Sequence, residues 1–149
     1  GALVGFEFAR LAEQRSVGVR ELWASASQAP ATVAGSRPVP TTDSGLLADI
    51  VDLGGTDASL LDDEDFLELL LPAVRSDYQA FNRYTCGREV RIAADIHAVG
   101  GRGDHRVESD LLRAWECHTD GVFTLTMFDG GHFYVDDHLD EVAELVSCT

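Results

Sequence analysis

Two polar side chains in this sequence follow glycine pairs, and their types are those of a catalytic acid and base. Asp104 comes after Gly100-Gly101-Arg102-Gly103, and His132 comes directly after Gly130-Gly131. A histidine can take a proton from a nucleophile, while an aspartate holds the histidine tautomer and stabilises the imidazolium. Glycines permit the tight backbone turns that would aim these side chains. We therefore predict Asp104 and His132 to be two members of a nucleophilic triad.

Alternating strands and helices must position these two side chains. Buried strands are predicted over Glu21–Ser25, Arg91–Val99 and Phe123–Phe128. Helices are predicted over Gly1–Gln14, Glu108–His118 and Leu139–Val146. This order predicts an α/β fold with a parallel sheet flanked by helices. Ligands of such sheets bind beyond the carboxyl ends of the strands, so Asp104 and His132 are expected on one edge.

A helical block from about residue 44 to 84 interrupts this order. Its first amphipathic segment stops at Gly54-Gly55, and the acidic run Asp62–Asp65 suits the positive end of a second helix. Pro72 is predicted to end that helix, and a further helix is predicted over Ala73–Tyr84. We interpret the block as a lid insertion above the sheet, so residues 1–149 are expected to form one partial domain.

Charge and composition exclude several classes of function. The formal net charge is −15, and all eleven basic residues are arginines, which disfavours nucleic acid or an anionic membrane as a partner. No apolar run approaches the roughly 20 residues of a membrane span, and no signal peptide is visible, so a cytoplasmic protein is expected. Cys86, Cys117 and Cys148 are an odd set without C-x-x-C spacing, which favours reduced thiols.

Three motifs resemble functional signatures but are interpreted as having no such function. Asp136-Asp137-His138 could bind a metal, but it is better placed to cap the last helix. Asp62–Asp65 is interpreted as a solvated helix start rather than a calcium loop. Arg102-Gly103-Asp104 spells an adhesion tripeptide, which we take as coincidence. No metal and no cofactor is predicted.

Several segments together resemble a known family, the type II thioesterases of polyketide and non-ribosomal peptide synthesis. Gly1-Ala2-Leu3-Val4-Gly5-Phe6-Glu7 is similar to the sequence that follows the G-H-S-M-G nucleophile elbow of that family. The other similar segments, in order, are Ser25–Pro30, Leu53-Gly54-Gly55-Thr56, Leu69–Asp77, Gly101–Asp104, Trp115–Thr119 and Phe128–Tyr134. The resemblance covers nearly the whole chain, and the closing G-G-H-F-Y with the L-G-G-T element is its most specific part.

The resemblance implies the C-terminal part of an α/β-hydrolase that cleaves acyl thioesters. The order nucleophile, acid, histidine of that fold is met by Asp104 as the triad acid and His132 as the general base. The serine would lie two positions ahead of Gly1, so the chain as given is expected to lack the nucleophile and the oxyanion donors. Activity is therefore predicted for a longer parent chain.

The implied substrate is an acyl or aminoacyl group on the phosphopantetheine arm of an acyl or peptidyl carrier protein, whose removal restores a stalled synthase. Carrier proteins tend to be acidic, so a local patch with Arg75 or Arg102 is expected to serve in docking. Two alternatives stay open. One is an esterase that acts on small free esters, and the other is a non-catalytic fragment that only binds a carrier protein.

Overall fold

The chain divides into two compact units, and a computed structural model describes residues 1–147 apart from the side chain of Ala58. One unit comprises residues 1–32 together with the chain from Cys86 onward, and the other is Val33–Thr85. Cys148, expected to be a reduced thiol, lies outside the described residues. None of the helices within residues 1–147 is long and apolar enough to cross a bilayer.

The helices and strands follow the predicted alternation. The strands are β1 (Glu21–Ser25), β2 (Asp95–Gly101) and β3 (Phe123–Phe128). The helices are α1 (Ala2–Gln14), α2 (Pro30–Val33), α3 (Asp43–Leu53), α4 (Glu64–Arg83), α5 (Ser109–Arg113) and α6 (Leu139–Ser147). The region predicted as one helix over Glu108–His118 is α5 followed by a 3₁₀ segment, Ala114–His118.

The sheet is parallel, as predicted, with the order β1-β2-β3. The central strand β2 is buried along nearly its whole length, which is typical of a parallel strand covered on both faces. Ser25 pairs with Val99, and Gly101 pairs with Phe128, so all three strands end at one edge of the sheet. This carboxyl edge carries the loops that begin after Gly101 and Phe128.

The predicted start of β2 at Arg91 is wrong, because the strand begins at Asp95. The reason is the carboxylate of Glu13 in α1, which accepts hydrogen bonds from the backbone N–H groups of Ala93 and Ala94 at 3.0–3.2 Å. Those amides are satisfied by a side chain and not by a neighbouring strand. The same contact fixes the C-terminal end of α1 near the amino edge of the sheet.

The core of the first unit lies between α1, the sheet and the segment around Trp115. Phe6 is fully buried and meets the Trp115 ring edge to face at 5.8 Å. The Trp115 indole N–H donates to the Ser27 carbonyl at 2.7 Å, and the Thr119 hydroxyl donates to the Ala94 carbonyl at 2.6 Å. The W-x-x-x-T segment is thus structural, and Trp115 is a fully buried core residue.

The unit Val33–Thr85 consists of α3, a 3₁₀ segment and α4. Asp63 caps α4 by accepting from the N–H groups of Asp65 and Phe66, so the predicted acidic helix start is confirmed. The prediction that Pro72 ends a helix is wrong, because α4 runs through Pro72 as one 20-residue helix. Proline removes a single backbone donor, and the Ser76 hydroxyl donates to the Pro72 carbonyl within the continuing helix.

His118 is a fully buried histidine that joins two distant pieces of backbone. Its Nδ1 lies 2.7 Å from the Val90 carbonyl oxygen and donates to it, while Nε2 accepts from the Ala31 N–H at 3.0 Å. One ring nitrogen therefore needs a proton and the other must lack one, which requires the neutral imidazole. Burial lowers the pKa of His118 from its ordinary value of 6.5.

We expect His118 to make folding sensitive to mild acid. The unfolded chain takes up a proton on this histidine below about pH 6.5, whereas the folded chain resists it, so its contribution is present above that pH and is lost as the pH falls. His118→Gln keeps an acceptor for the Ala31 N–H but leaves the Val90 carbonyl without its donor. This should lower the free energy of unfolding by about 1–3 kcal/mol at pH 7.5. Urea unfolding between pH 7.5 and 5.5 should show a flatter pH dependence for the variant; equal slopes would contradict this.

Candidate active site

Asp104 and His132 lie side by side at the carboxyl edge of the sheet. His132 Nδ1 is 2.9 Å from Asp104 Oδ2. A carboxylate can only accept, so Nδ1 carries the proton and Nε2 is left with its lone pair. The His132 side chain is about one-fifth exposed, whereas the Asp104 side chain is almost fully buried. This is the arrangement in which an imidazole can accept a proton from a nucleophile at Nε2.

The carboxylate of Asp104 is held by three donors. Its Oδ1 accepts from the N–H groups of Arg106 at 2.8 Å and Val107 at 3.1 Å, and its Oδ2 accepts from His132. The turn that presents it is closed by the Asp104 N–H, which donates to the Gly101 carbonyl. A buried carboxylate with both oxygens bonded has one orientation, so it fixes the plane of the imidazole ring.

The two loops are tied together by backbone hydrogen bonds that prolong the β2–β3 ladder. The Arg102 N–H donates to the Phe128 carbonyl, and the Gly103 N–H donates to the Gly130 carbonyl, both at 2.8 Å. At Gly101 the loops nearly touch, because a Cβ there would lie 2.2 Å from the Gly131 oxygen and 2.5 Å from the Gly130 oxygen. Only glycine allows this approach.

The predicted role of the glycines as turn residues holds in part. Gly130 has a φ of 117°, a conformation that side-chain-bearing residues rarely adopt, so it does reverse the chain ahead of His132. Gly101, in contrast, is required by the closeness of the neighbouring loop. The sequence alone does not distinguish these two reasons for a glycine. The structure shows that Gly130 is needed for its backbone conformation and Gly101 for lack of space.

Ser25 and Tyr134 belong to this edge, although the sequence analysis gave them no role. The Tyr134 hydroxyl lies 2.8 Å from Ser25 Oγ, and the two residues are 109 positions apart. The Tyr134 ring stacks on Phe128 with centroids 5.4 Å apart, and it is 98% buried, since its relative exposure is 2%. The available signals in the sequence were a polar residue at the end of a predicted strand and a tyrosine two positions after His132.

The other histidines with a possible role, His97 and His138, have contacts of their own and do not join Asp104 and His132. His97 is in β2, where it stacks on Trp23 and its Nδ1 lies 2.7 Å from the Thr124 hydroxyl, so its role is structural. His138 precedes α6, and its carbonyl accepts the Val142 N–H, as a capping residue does. Within residues 1–147 no group of three or more His, Cys, Asp or Glu side chains is arranged to hold a metal ion.

The two arginines expected to serve in docking are both beside carboxylates. Arg75 bonds Asp43, and Arg102 Nε lies 3.4 Å from Asp129 Oδ1. The Arg102–Asp129 pair is largely exposed, and such pairs contribute only about 0–1 kcal/mol. Their role in docking stays a prediction.

A cleft of about 510 Å³ lies behind the acid loop. Arg102, His105, Glu108 and Met127 contribute to its walls, and His132 does not line it. Asp104 is also part of its wall, so the acid of the pair borders this cleft.

Comparison with known proteins identifies the family of this chain. The thioesterase domain family matches residues 1–148. The chain belongs to the thioesterase family. Its relatives include the phenyloxazoline synthase MbtB of Mycobacterium tuberculosis, 63% identical over 99% of this chain and 10% of that protein. Thioesterase PikA5 of Streptomyces venezuelae is 37% identical over 99% of this chain and 53% of that protein.

Solved thioesterases have the same fold as this chain. The type II thioesterase BorB from the borrelidin biosynthetic cluster superposes with a TM-score of 0.78 and 36% identity, over 99% of this chain and 60% of that one. The predicted α/β-hydrolase fold and the predicted family are confirmed. This thioesterase chain spans between about a tenth and about three-fifths of the length of these relatives.

Gly101 gives a direct test of the packing that joins the two loops. Gly101→Ala places a methyl group against the carbonyls of Gly130 and Gly131, so we expect a loss of about 1–3 kcal/mol in the free energy of unfolding. The low-field proton resonance of His132 Nδ1–H should weaken as the bond to Asp104 is displaced. Gly131→Ala is the control, because its Cβ would meet no atom within 4 Å of the described residues. Equal behaviour of the two variants would contradict the steric argument.

Proposed function

We propose that this thioesterase chain supplies the acid and the base of a serine-dependent hydrolase of acyl thioesters, active in the longer protein that carries it. The observation that supports it most is the 2.9 Å bond between Asp104 and His132 Nδ1, which leaves Nε2 able to accept a proton. Membership of the thioesterase family gives the reaction class. Asp104 is the triad acid and His132 is the general base.

We place the nucleophile in the parent protein, two positions ahead of Gly1. The segment Arg15–Arg20 joins the end of α1 to the start of β1, and Glu13 holds that end of the helix near the amino edge of the sheet. The opening residues of α1 therefore point toward the carboxyl edge, where Asp104 and His132 lie. A serine in a turn just before α1 would stand at the same edge as the imidazole.

The reaction proceeds in two balanced steps. The serine oxygen attacks the thioester carbonyl while its proton passes to Nε2 of His132; the C–S bond then breaks, and the departing thiol takes that proton. Water next attacks the acyl-serine ester and gives a proton to His132. The serine oxygen leaves with this proton, and the free acid is released. Asp104 stabilises the imidazolium in both steps.

We propose an acyl or aminoacyl group on the phosphopantetheine arm of a carrier protein as the substrate. This rests on the relatives, which include thioesterase PikA5 and the type II thioesterase BorB from the borrelidin biosynthetic cluster. We further propose that the unit Val33–Thr85 is the predicted lid insertion, since it is a separate compact unit inserted between β1 and β2. No cofactor enters the mechanism.

Substitution of either proposed catalytic side chain should lower kcat strongly without unfolding the protein. In the full parent protein, His132→Ala should lower kcat on an acyl-carrier thioester by at least about a thousandfold, because the proton acceptor is lost. Asp104→Asn should lower it by about 10³–10⁴-fold through the wrong histidine tautomer. The exposed Asp136→Asn is the matched control and should retain kcat.

The same assay distinguishes a thioesterase for carrier-bound acyl groups from an esterase for small free esters. Carrier-bound acyl groups should be hydrolysed with a higher kcat/KM than aryl esters of the same acyl chain. Preference for the free esters would favour the small-ester esterase, and full activity of His132→Ala would refute the assignment of the base.

A second function is favoured by the 63% identity with a synthase of which this chain matches only 10%. In this second function, the thioesterase chain is one domain of a large synthase and removes the acyl group from a carrier domain of the same polypeptide. The rate of acyl loss from the preloaded full protein should then be independent of protein concentration. A rate that rises in proportion to added separate carrier protein would favour the editing enzyme that acts on another chain.

A further inference from the structure

We propose that Tyr134 is a positioning residue for His132, acting through its hydrogen bond to Ser25 at the end of β1. The inference rests on the proposed function of His132 as the general base. It concerns how the imidazole is held, which Asp104 alone does not determine. The two contacts come from different strands: Asp104 follows β2, whereas Ser25 ends β1.

The segment from Phe128 to Tyr134 crosses the edge of the sheet. It leaves β3, and the Tyr134 hydroxyl reaches Ser25 at the end of β1. With β2 between them, the two strands are about 10 Å apart, since neighbouring strands are spaced by about 4.8 Å. The crossing passes over the end of β2, which is where Gly101 faces the carbonyls of Gly130 and Gly131. His132 lies within this crossing.

Tyr134 is fixed at both ends of its side chain. Its ring stacks on Phe128, with an angle of 10° between the planes, and its hydroxyl meets Ser25 Oγ at 2.8 Å. Burial raises the pKa of the Tyr134 hydroxyl, so the group keeps its proton at neutral pH and can donate it. Tyr134 is buried, whereas Ser25 is exposed at the end of β1, so the bond ties the buried tyrosine to a residue at the surface of this edge.

Ser25 is a rigid anchor because the backbone on both sides of it is fixed. It is paired with Val99 in the ladder, and the next N–H, that of Ala26, donates to the Val99 carbonyl at 2.9 Å. Ala26 has a φ of 44°, an unfavourable conformation for a residue with a side chain. Strained residues of this kind persist only where the surrounding contacts determine them, and they concentrate at functional sites.

The position of Tyr134 is transmitted to His132 over two residues. The Tyr134 N–H donates to the Gly131 carbonyl at 3.2 Å and closes the short turn that contains His132. A Cβ on Gly130 would lie 3.4 Å from Tyr134 Cα, so the turn is packed against its own start. If the ring of Tyr134 moves, the turn moves with it, and the imidazole shifts relative to Asp104.

The test uses four substitutions in the full parent protein. Tyr134→Phe removes the hydroxyl but keeps the stack on Phe128, and Ser25→Ala removes its partner. Each should lower kcat about tenfold with little change in KM, because small misplacements of a catalytic group affect the chemical step. The double variant should be no worse than either single one. Ser25→Thr keeps a hydroxyl and should restore activity.

A second readout does not depend on turnover. In wild-type protein the His132 Nδ1–H held by Asp104 should give a low-field proton resonance with slow exchange, and both Tyr134→Phe and Ser25→Ala should broaden it or speed its exchange. Ser27→Ala is the matched control, because the Ser27 hydroxyl bonds only at 3.5 Å to the carbonyl of Gln28. An inactive wild type with an altered resonance in the variants would refute the proposed function and support the positioning role. Unchanged resonance and kcat in both variants, with only a lower melting temperature, would overturn the positioning role.

Discussion

The site depends on the passage of one backbone segment directly over another. The carbonyls of Gly130 and Gly131 lie where a side chain of Gly101 would have to be, and the backbone hydrogen bonds of Arg102 and Gly103 close the loops at that point. Because the contact involves main-chain atoms, it leaves little room for adjustment. The acid and the histidine, each a few residues further along, therefore approach one another through rigid backbone and not through flexible side chains.

A second consequence of this arrangement is that the histidine segment, which follows β3, is restrained by residues at the ends of the other two strands. Asp104 belongs to the loop after β2, and Ser25 ends β1. The buried carboxylate orients the ring, while the tyrosine holds the backbone that carries it. Orientation and placement are thus separate tasks in this site, and different residues perform them.

Much of this was predictable because local patterns determine it. The strands Glu21–Ser25 and Phe123–Phe128 were predicted with the bounds that the structure has. The second is rich in aromatic and β-branched residues and lies between Gly121 and Gly130, which leaves few alternatives. The proximity of Asp104 and His132 followed from parallel strands ending at one edge. The start of β2 was not predictable, because Glu13 acts on it from about 80 residues away. The contact between Ser25 and Tyr134 is equally non-local, and no periodicity encodes it.

His118 bonds backbone on both flanks of the inserted unit: Ala31 lies just before Val33, and Val90 lies just after Thr85. One side chain thereby brings together the two points at which the polypeptide leaves the sheet unit and returns to it. With those points held, the entropic cost of a longer or shorter excursion changes only slowly with its length. A change in the length of the inserted unit would therefore leave these two junctions held by the same histidine.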